Sequence, residues 1–192
     1  MKPHIKILIL NWNGKQLLKP CLESVSAIDY PNYSIVVIDN GSSDGSLDMI
    51  KKNYPNVECM DLDKNYGFSR GYNRCFSQLK KESSAFIMLL NNDTEVDSDI
   101  LKSLNIARET FGDNHIYGGK IYYYDDPKSI WYAGGRVNLK WGHISHRGIR
   151  KRDSNEFSTP CETDYVTGCC LFTSNHVMNI LNGFDNRFTM YG

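Results

Sequence analysis

Short apolar runs alternate along this chain with longer segments in which apolar residues recur every three or four positions. Each run has the length of a buried β-strand, and runs that are apolar on both faces are typical of a parallel sheet covered by helices. The predicted strands are Ile5–Leu10, Ser34–Ile38, Val57–Leu62 and Ala85–Leu90. The predicted helices are Gln16–Val25, Leu47–Tyr54, Ser69–Lys80 and Ser98–Thr110.

This alternation predicts parallel strands joined by crossover helices, and therefore an α/β fold with a mostly parallel central sheet. We expect Ala85–Leu90 at the centre of that sheet. After Ile116 the pattern changes to aromatic strand-and-turn segments, followed by a strand at Asp164–Thr173 and a short helix capped by Ser174. We therefore expect one domain made of two halves, residues 1–115 and 116–192.

Three of the predicted strands end in polar residues. These polar ends are Asn11–Gly14, Asp39–Asp44 and Asn91–Asp93. Because the carboxyl ends of parallel strands share one edge of the sheet, the three segments should line one crevice, where open α/β sheets bind their ligands. Carboxylate and amide oxygens in such a crevice are ligands for a hard divalent cation.

Composition narrows the class of protein. The chain of 192 residues has 22 Lys and Arg and 22 Asp and Glu, so its formal net charge is zero and a general nucleic-acid binder is not expected. No apolar run approaches the roughly 20 residues of a membrane-spanning helix. The six cysteines lack C-x-x-C spacing and no secretory signal precedes them, so we expect reduced thiols in a cytoplasmic protein.

A basic run, Arg147–Arg152, lies in the second half of the chain. The favoured interpretation is a solvated loop. The alternative is contact with phosphates or with an anionic membrane surface.

Taken in order, the motifs resemble those of the family 2 glycosyltransferases. More specifically, they are similar to the rhamnosyltransferase-like branch, which has the GT-A fold, a Rossmann-like three-layer sandwich. The resemblance rests on Asn11–Gly14, Val37–Gly45, Asn65–Phe68 with Asn73, Leu89–Thr94, Ala133–Gly135, Val166–Cys169, and Gly183–Asp185 with Phe188, Met190 and Tyr191.

The resemblance implies a function. It is transfer of a sugar from a dTDP- or UDP-linked donor, with rhamnose one candidate, to a glycan or lipid-linked acceptor with inversion. Residues 1–115 would bind the donor, and 116–192 would form part of the acceptor side. The protein would act in polysaccharide or cell-surface glycan synthesis, in the cytoplasm or peripherally at the inner face of the membrane.

The resemblance also implies roles for single residues. Asp39 would accept the N3–H of the base, since a carboxylate can only accept. Asp93, with Asn91 as a weaker ligand, would hold Mg²⁺ or Mn²⁺ against the diphosphate. The other nucleotide-binding candidates are Asn11, Asn13, Asn40, Gly67, Asn73 and Asn92. The candidates on the acceptor and donor-sugar side are Trp131, Gly168, Cys169 and Asp185.

In the resembled pattern the general base follows the aromatic segment that ends this sequence. We therefore expect the base beyond Gly192 and expect this chain to be truncated, with Asp185 in a structural position. Two other functions remain open at this point. One is a sugar-phosphate nucleotidyltransferase, although the expected glycine-rich basic loop is poorly matched; the other is a nucleotide-sugar-binding module without turnover.

Overall fold

The computed structural model describes residues 2–79 and 85–188. Its strands are β1 Ile5–Asn11, β2 Tyr33–Asp39, β3 Val57–Asp61, β4 Phe86–Asn91, β5 Ile116–Gly118, β6 Ile121–Tyr122, β7 Ile130–Tyr132, β8 Gly135–Asn138, β9 His143–His146 and β10 Cys170–Ser174. Its helices are α1 Lys15–Ser26, α2 Ser46–Asn53, α3 Gly67–Leu79, α4 Ile100–Phe111 and α5 Asn175–Leu181, with a 3₁₀ turn at Asn155–Phe157.

The central sheet has six strands in the order β3-β2-β1-β4-β10-β5. The first four are parallel, and β10 pairs antiparallel with both β4 and β5. The prediction of an α/β fold with a mostly parallel central sheet is confirmed. Because β10 and β5 come from the second half of the chain, both halves contribute strands to one sheet.

Helices cover both faces of this sheet, as a strand pattern apolar on both faces requires. One core joins alternate residues of β1, β2 and β4 to α1 and α4, and includes Ile7, Val37 and Leu90. The other core joins the intervening residues to α3 and includes Leu8 and Leu89. The three layers therefore follow from the period-two alternation of side chains along each strand.

The second half contains two small hairpins, β6 with β7 and β8 with β9. The predicted strand Asp164–Thr173 is corrected: only Cys170–Ser174 is a strand, and Tyr165 forms an isolated bridge to Gly135. The tyrosine ring lies where a Cβ on Gly135 would be, so this segment packs against β8 instead of extending β10. Ser174 caps α5 as predicted, since its hydroxyl accepts from the Val177 N–H at 3.2 Å.

The predicted helix ends need smaller corrections. α1 extends one residue beyond the predicted range at each end, and Ser69 lies inside α3 because that helix already begins at Gly67. The predicted end of α3 at Lys80, and the aromatic segment at Met190 and Tyr191, fall outside the described residues. None of the helices in the described part of the chain is long and apolar enough to cross a bilayer.

Candidate active site

The predicted crevice lies where the strand order of the sheet reverses. β2 pairs with one side of β1 and β4 with the other, so the chain runs outward from β1 to β3 and then crosses back to β4 on the opposite side of β1. Asn11 aligns with Asp39, and Leu10 aligns with Asn91. The structure thus brings together the polar ends of β1, β2 and β4 at the position where open α/β sheets bind ligands.

A chain of buried and part-buried hydrogen bonds crosses this edge. Asn92 Nδ2 donates to Asn11 Oδ1 at 2.8 Å, and Asn11 Nδ2 donates to Asp39 Oδ1 at 3.1 Å. The other Asp39 oxygen accepts from the Ser42 N–H at 2.9 Å. Because a carboxylate can only accept, Asp39 fixes the orientation of the Asn11 amide, and Asn11 in turn fixes that of Asn92. Asp39, Asn11 and Asn92 thus form one continuous hydrogen-bonded set of side chains.

The loops after β1 and β2 are also joined directly. Asn13 Oδ1 accepts from the Ser43 N–H at 2.8 Å, and the Asn13 N–H donates to Ser42 Oγ at 2.9 Å. Asn13 has φ 50°, a left-handed backbone conformation that asparagine adopts more readily than most residues. Two loops distant in sequence therefore form one rigid rim of the crevice.

Asp44 supplies the N-terminal cap that α1 lacks. Gly14 has no capping side chain, and Asp44 Oδ2 accepts from the Lys15 N–H at 2.9 Å across the crevice rim. The other oxygen accepts from the Ser46 N–H at 2.9 Å and from the Ser46 hydroxyl. Burial raises the pKa of Asp44, but these hydrogen bonds outweigh it, so the pKa lies below its ordinary value of 3.8.

This cap predicts a pH-dependent stability. A carboxylate with a lowered folded-state pKa stabilises the fold above pH 3.8, and that contribution is lost as the pH falls through the native pKa. Asp44→Asn should lower the free energy of unfolding by about 1 kcal/mol at neutral pH. The difference between parent and variant should shrink below about pH 4 in urea denaturation. Asp48→Asn, on the exposed side of α2, is the control; a difference independent of pH would contradict the assignment.

The β3–α3 loop is held by Asn40. Its Nδ2 donates to Asn65 Oδ1 at 2.9 Å and to the Gly67 carbonyl at 3.2 Å, while its Oδ1 accepts from the Tyr66 N–H at 2.9 Å. Gly67 has φ 75°, which a side chain would disfavour. Asn40 therefore lies beside Gly67, and its buried side chain holds the β3–α3 loop in place.

Asp93 is the exposed carboxylate of the crevice. Its described hydrogen-bond partner is the Thr94 hydroxyl at 3.5 Å, a long contact that leaves its oxygens available. The start of β10 lies beside it: the Asn91 N–H donates to the Cys169 carbonyl at 3.0 Å, and Thr94 Oγ1 lies 3.2 Å from Cys169 Sγ. Gly168, next in the chain, lies against the Phe68 ring. The structure therefore places Gly168 and Cys169 next to Asp93.

Burial makes the thiols at this edge poor nucleophiles. Burial raises the pKa of Cys21 to about 12, and burial with the nearby Asp93 charge also raises the pKa of Cys169. Since the thiolate is the nucleophile, neither group suits covalent catalysis at neutral pH.

The donor set around Asp93 fits a cation that is completed by substrate. Within residues 2–79 and 85–188, no three His, Cys, Asp or Glu side chains are grouped as a metal site. The Asp93 carboxylate and the side-chain oxygen of Asn91, two residues before it, are hard ligands, and Mg²⁺ is commonly held by one or two carboxylates together with substrate phosphates. The residues thus suit an ion that shares its shell with a diphosphate.

Three candidates have other contacts. Both N–H groups of the Asn73 amide are used, one by the Phe184 carbonyl at 2.7 Å and one by Asn186 at 2.8 Å. The Asp185 carboxylate is paired with Arg187, whose hydrogen bonds lower its pKa to about 2. Trp131 packs edge-on against His146, with ring centroids 4.6 Å apart. The Asn73 amide therefore holds the segment at Phe184, and its role at the nucleotide stays a prediction.

Residues outside our candidate set complete the rim. Ser42 and Asp44 join the loops, and Gly14 is required because a Cβ there would overlap the hydrogen bond between Asn92 and Asn11. Ser42 and Asp44 lie in the polar run after β2, so the sequence marked the segment. The partners of each side chain depended on how two loops pack.

A surface cleft of about 310 Å³ lies on the second half of the chain. It is lined by Tyr123, Tyr124, Asp125, Asp126, Ser129 and Arg150. The Tyr124 hydroxyl hydrogen-bonds to Glu95, which raises the tyrosine pKa and links the cleft to the segment that follows Asp93. Asp126 is paired with Arg152 at 3.0 Å and with the Ser129 hydroxyl at 2.7 Å.

The sequence matches known proteins over part of their length. It is 32% identical over 98 residues to the poly-beta-1,6-N-acetyl-D-glucosamine synthase of Staphylococcus epidermidis, covering 50% of this chain and 23% of that protein. The corresponding enzyme of Staphylococcus aureus strain COL is 31% identical over 97 residues, covering 50% of this chain and 23% of that enzyme. The match thus spans about a quarter of these relatives.

Solved structures share the fold. The mannosyltransferase PcManGT from Pyrobaculum calidifontis, in complex with GDP-Man and Mn²⁺, superposes with a TM-score of 0.65 at 13% identity, covering 97% of this chain and 48% of that chain. S. aureus TarS 1–349 in complex with UDP gives 0.63 at 15% identity, covering 97% and 51%. These neighbours are GT-A glycosyltransferases, which confirms the predicted fold. The sequence profile of Glycosyl transferase family 2 matches residues 6–178, and the chain therefore belongs to that family.

Proposed function

We propose that this protein transfers a sugar from a UDP- or dTDP-linked donor to a glycan or lipid-linked acceptor, with inversion, in polysaccharide or cell-surface glycan synthesis. Rhamnose is one candidate sugar. The observation that supports this best is the crevice where the strand order reverses. Its polar loops are held together by hydrogen bonds, whereas the Asp93 carboxylate beside them is exposed. The presence of UDP in the TarS structure and of GDP-Man in PcManGT supports a nucleotide-sugar donor.

We propose that Asp93, with Asn91, holds Mg²⁺ or Mn²⁺. The ion would neutralise charge on the departing diphosphate. The Mn²⁺ bound in PcManGT supports this choice of cofactor. Asp93 is suited to the role because its carboxylate is exposed and is not consumed by the rim.

Asp39 reading the base stays a prediction. Its side chain is 1% exposed, and both oxygens already accept from the rim, so N3–H would have to use a remaining lone pair. Asp39→Asn would set an amide donor against Asn11 or Ser42, and should destabilise the fold by about 1–3 kcal/mol.

The two roles of Asp39 can be separated. Unfolding in urea gives the stability of the variant without ligand, and titration with UDP or dTDP gives its affinity at a temperature where it is folded. Weaker nucleotide binding by folded Asp39→Asn would support base reading. Unchanged affinity with lowered stability would restrict Asp39 to holding the rim.

We propose the cleft at Tyr124 for the acceptor. Tyr124 is 74% exposed and can present a ring face to a sugar, while Asp125 and Arg150 offer groups to hydroxyls. Its link to Glu95 brings the cleft near Asp93. Trp131 lies on β7 of the adjoining hairpin. We propose Gly168 and Cys169 for the donor-sugar side, since Cys169 Sγ lies 3.2 Å from Thr94 Oγ1, next to Asp93.

We assign the general base to none of the described carboxylates. Asp185 is a poor candidate because Arg187 holds its pKa at about 2, far below the neutral range that suits proton abstraction.

We propose a cytoplasmic location, peripheral to the inner face of the membrane. The free thiols of all six cysteines are consistent with a reducing compartment.

The test is thermal unfolding with UDP, dTDP and GDP, each with and without Mn²⁺, followed by transfer assays with the corresponding nucleotide sugars. A metal-dependent rise in melting temperature for one nucleotide is expected. The configuration of the product at the anomeric carbon, read by NMR, tests inversion. Donor binding without transfer would favour a binding module, and sugar-phosphate exchange with a nucleoside triphosphate would favour a nucleotidyltransferase.

A further inference from the structure

The hairpin of β8 and β9 displays large apolar side chains at its tip. Leu139 is 90% exposed and Trp141 is 76% exposed, both in the turn at 139–142. Ile144, on β9 beside the turn, is 64% exposed. Exposed apolar residues that are scattered singly are common, but a contiguous group marks an interaction surface.

The tip has a defined shape. Asn138 Oδ1 accepts from the backbone N–H groups of Lys140 at 3.1 Å and Trp141 at 3.3 Å, and its carbonyl accepts from Trp141 at 3.2 Å. At the base of the hairpin, the Val137 N–H donates to Asp164 Oδ2 at 2.8 Å. A Cβ on Gly142 would meet nothing within 4 Å, and with the exposure of Leu139 and Trp141 this shows that the turn stands out into solvent. Exposure of Leu139 and Trp141 therefore belongs to an ordered projection.

Within the segment that carries the tip the charge is one-sided, while the Asp164 carboxylate lies at the base of the hairpin. From Pro127 to Arg152 there are seven Lys and Arg and no Asp or Glu, in a chain whose net charge is zero. Ion pairs neutralise part of it, since Arg152 pairs with Asp126 at 3.0 Å and Lys151 with Glu156 at 4.0 Å. Arg136 and Lys140 flank the tip, and the Lys140 ammonium lies 5.7 Å from the centroid of the Trp141 ring.

We propose that this tip inserts into an anionic membrane surface. Leu139 and Trp141 would enter the boundary between headgroups and acyl chains, where tryptophan is favoured, and Arg136 and Lys140 would contact anionic headgroups. A projecting turn offers far less area than the roughly 800 Å² that each partner of a stable protein complex buries, whereas a bilayer accepts a small convex wedge. The absence of acidic residues from Pro127 to Arg152 matches the negative surface of such a membrane.

The inference reinterprets the basic run Arg147–Arg152. Arg147 and Lys151 lie beside the Phe157 ring, 5.0 and 5.8 Å from its centroid, so both cations already have a contact within the protein. The contact with lipid is assigned to the neighbouring tip instead. The proposal stands without the proposed transfer activity, since membrane binding needs no donor sugar.

Vesicle flotation tests the insertion. The parent protein should float with vesicles of phosphatidylcholine and phosphatidylglycerol. It should float much less with vesicles of phosphatidylcholine alone. Leu139→Ser combined with Trp141→Ser should reduce the partition coefficient about tenfold or more, because the buried apolar area is lost. Arg136→Gln combined with Lys140→Gln should reduce it about 25-fold on anionic vesicles, since each basic residue near the surface contributes about fivefold.

Matched variants make the outcome decisive. Leu17→Ser combined with Ile106→Ser removes side chains that are 54% and 61% exposed on α1 and α4, and should leave flotation unchanged. Quenching of fluorescence by brominated lipid should be lost in Trp141→Phe. The proposal is overturned if the parent does not float, if only the charge variant loses binding, or if the tip variant instead abolishes self-association or binding to a polyanion. Nucleotide binding measured on the same variants keeps this outcome separate from the donor site.

Discussion

Asp93→Asn should remove most of the metal-dependent stabilisation by the nucleotide while leaving the protein without ligand as stable as the parent. The side chain is exposed and its described hydrogen bond is the 3.5 Å contact with Thr94, so the change should alter the free energy of unfolding by no more than about 0.5 kcal/mol. Replacing the one charged ligand by an amide should weaken binding about a hundredfold. At a ligand concentration 100 times the parent's Kd, stabilisation should fall from about 2.7 to about 0.4 kcal/mol.

Asp97→Asn is the matched control. Asp97 is an exposed aspartate on the same loop, and its Oδ1 accepts from the Asp99 N–H at 2.8 Å, a bond that the amide oxygen can keep. Thermal unfolding with UDP or dTDP and Mn²⁺ should therefore respond to the control as to the parent. If Asp93→Asn and Asp97→Asn retain equal stabilisation, the metal assignment is wrong.

Gly41→Ala should destabilise the protein by about 2–5 kcal/mol. Gly41 has φ 74°, which costs an L-residue about 1–2 kcal/mol. An added Cβ would lie 2.5 Å from Lys64 Cα and 2.7 Å from its carbonyl carbon. Since backbone cannot rotate away as a side chain can, the loops after β2 and β3 must separate, which adds about 1–3 kcal/mol. The loop displacement should also weaken nucleotide binding.

Gly142→Ala isolates the conformational term. Gly142 has φ 60°, and an added Cβ there would meet nothing within 4 Å. Its cost in urea denaturation should therefore be about 1–2 kcal/mol, from the backbone alone. The excess cost of Gly41→Ala measures the steric contact with Lys64. Equal losses in the two variants would show that the loops after β2 and β3 can move apart freely.

Much of the fold could be predicted from the sequence, because buried positions recur along the chain with the period of a strand or of a helix. Ala85–Leu90 was predicted as a central strand, and β4 pairs with β1 on one side and β10 on the other. The strand at Asp164–Thr173 was predicted too long, because its apolar and aromatic residues serve two purposes. Tyr165 packs on Gly135, whereas Phe172 lies in the sheet core. An apolar pattern reports burial and does not report which element provides it.

The candidate site was located better than it was explained. The sequence marked Asn11, Asp39 and Asn92 as polar strand ends, and the fold brings them to one edge. It could not indicate that these side chains bond to one another, since Asn92 and Asn11 are 81 positions apart and meet only after β1 and β4 pair. Asn73 illustrates the opposite case, because its amide binds the backbone of Phe184, 111 positions away.

The sequence by itself determined the layer architecture, the edge of the sheet that carries the polar residues, and the resemblance to family 2. Each of these depends on local periodicity or on motif order, which are properties of the chain alone. Only the tertiary structure decided which polar groups already have hydrogen-bond partners within the protein. The side chains of Asp39, Asn40 and Asp44 use their hydrogen bonds to hold the loops together, whereas the Asp93 carboxylate does not. That distinction depends on contacts between distant segments, because a buried polar group must find its partner wherever the fold places one.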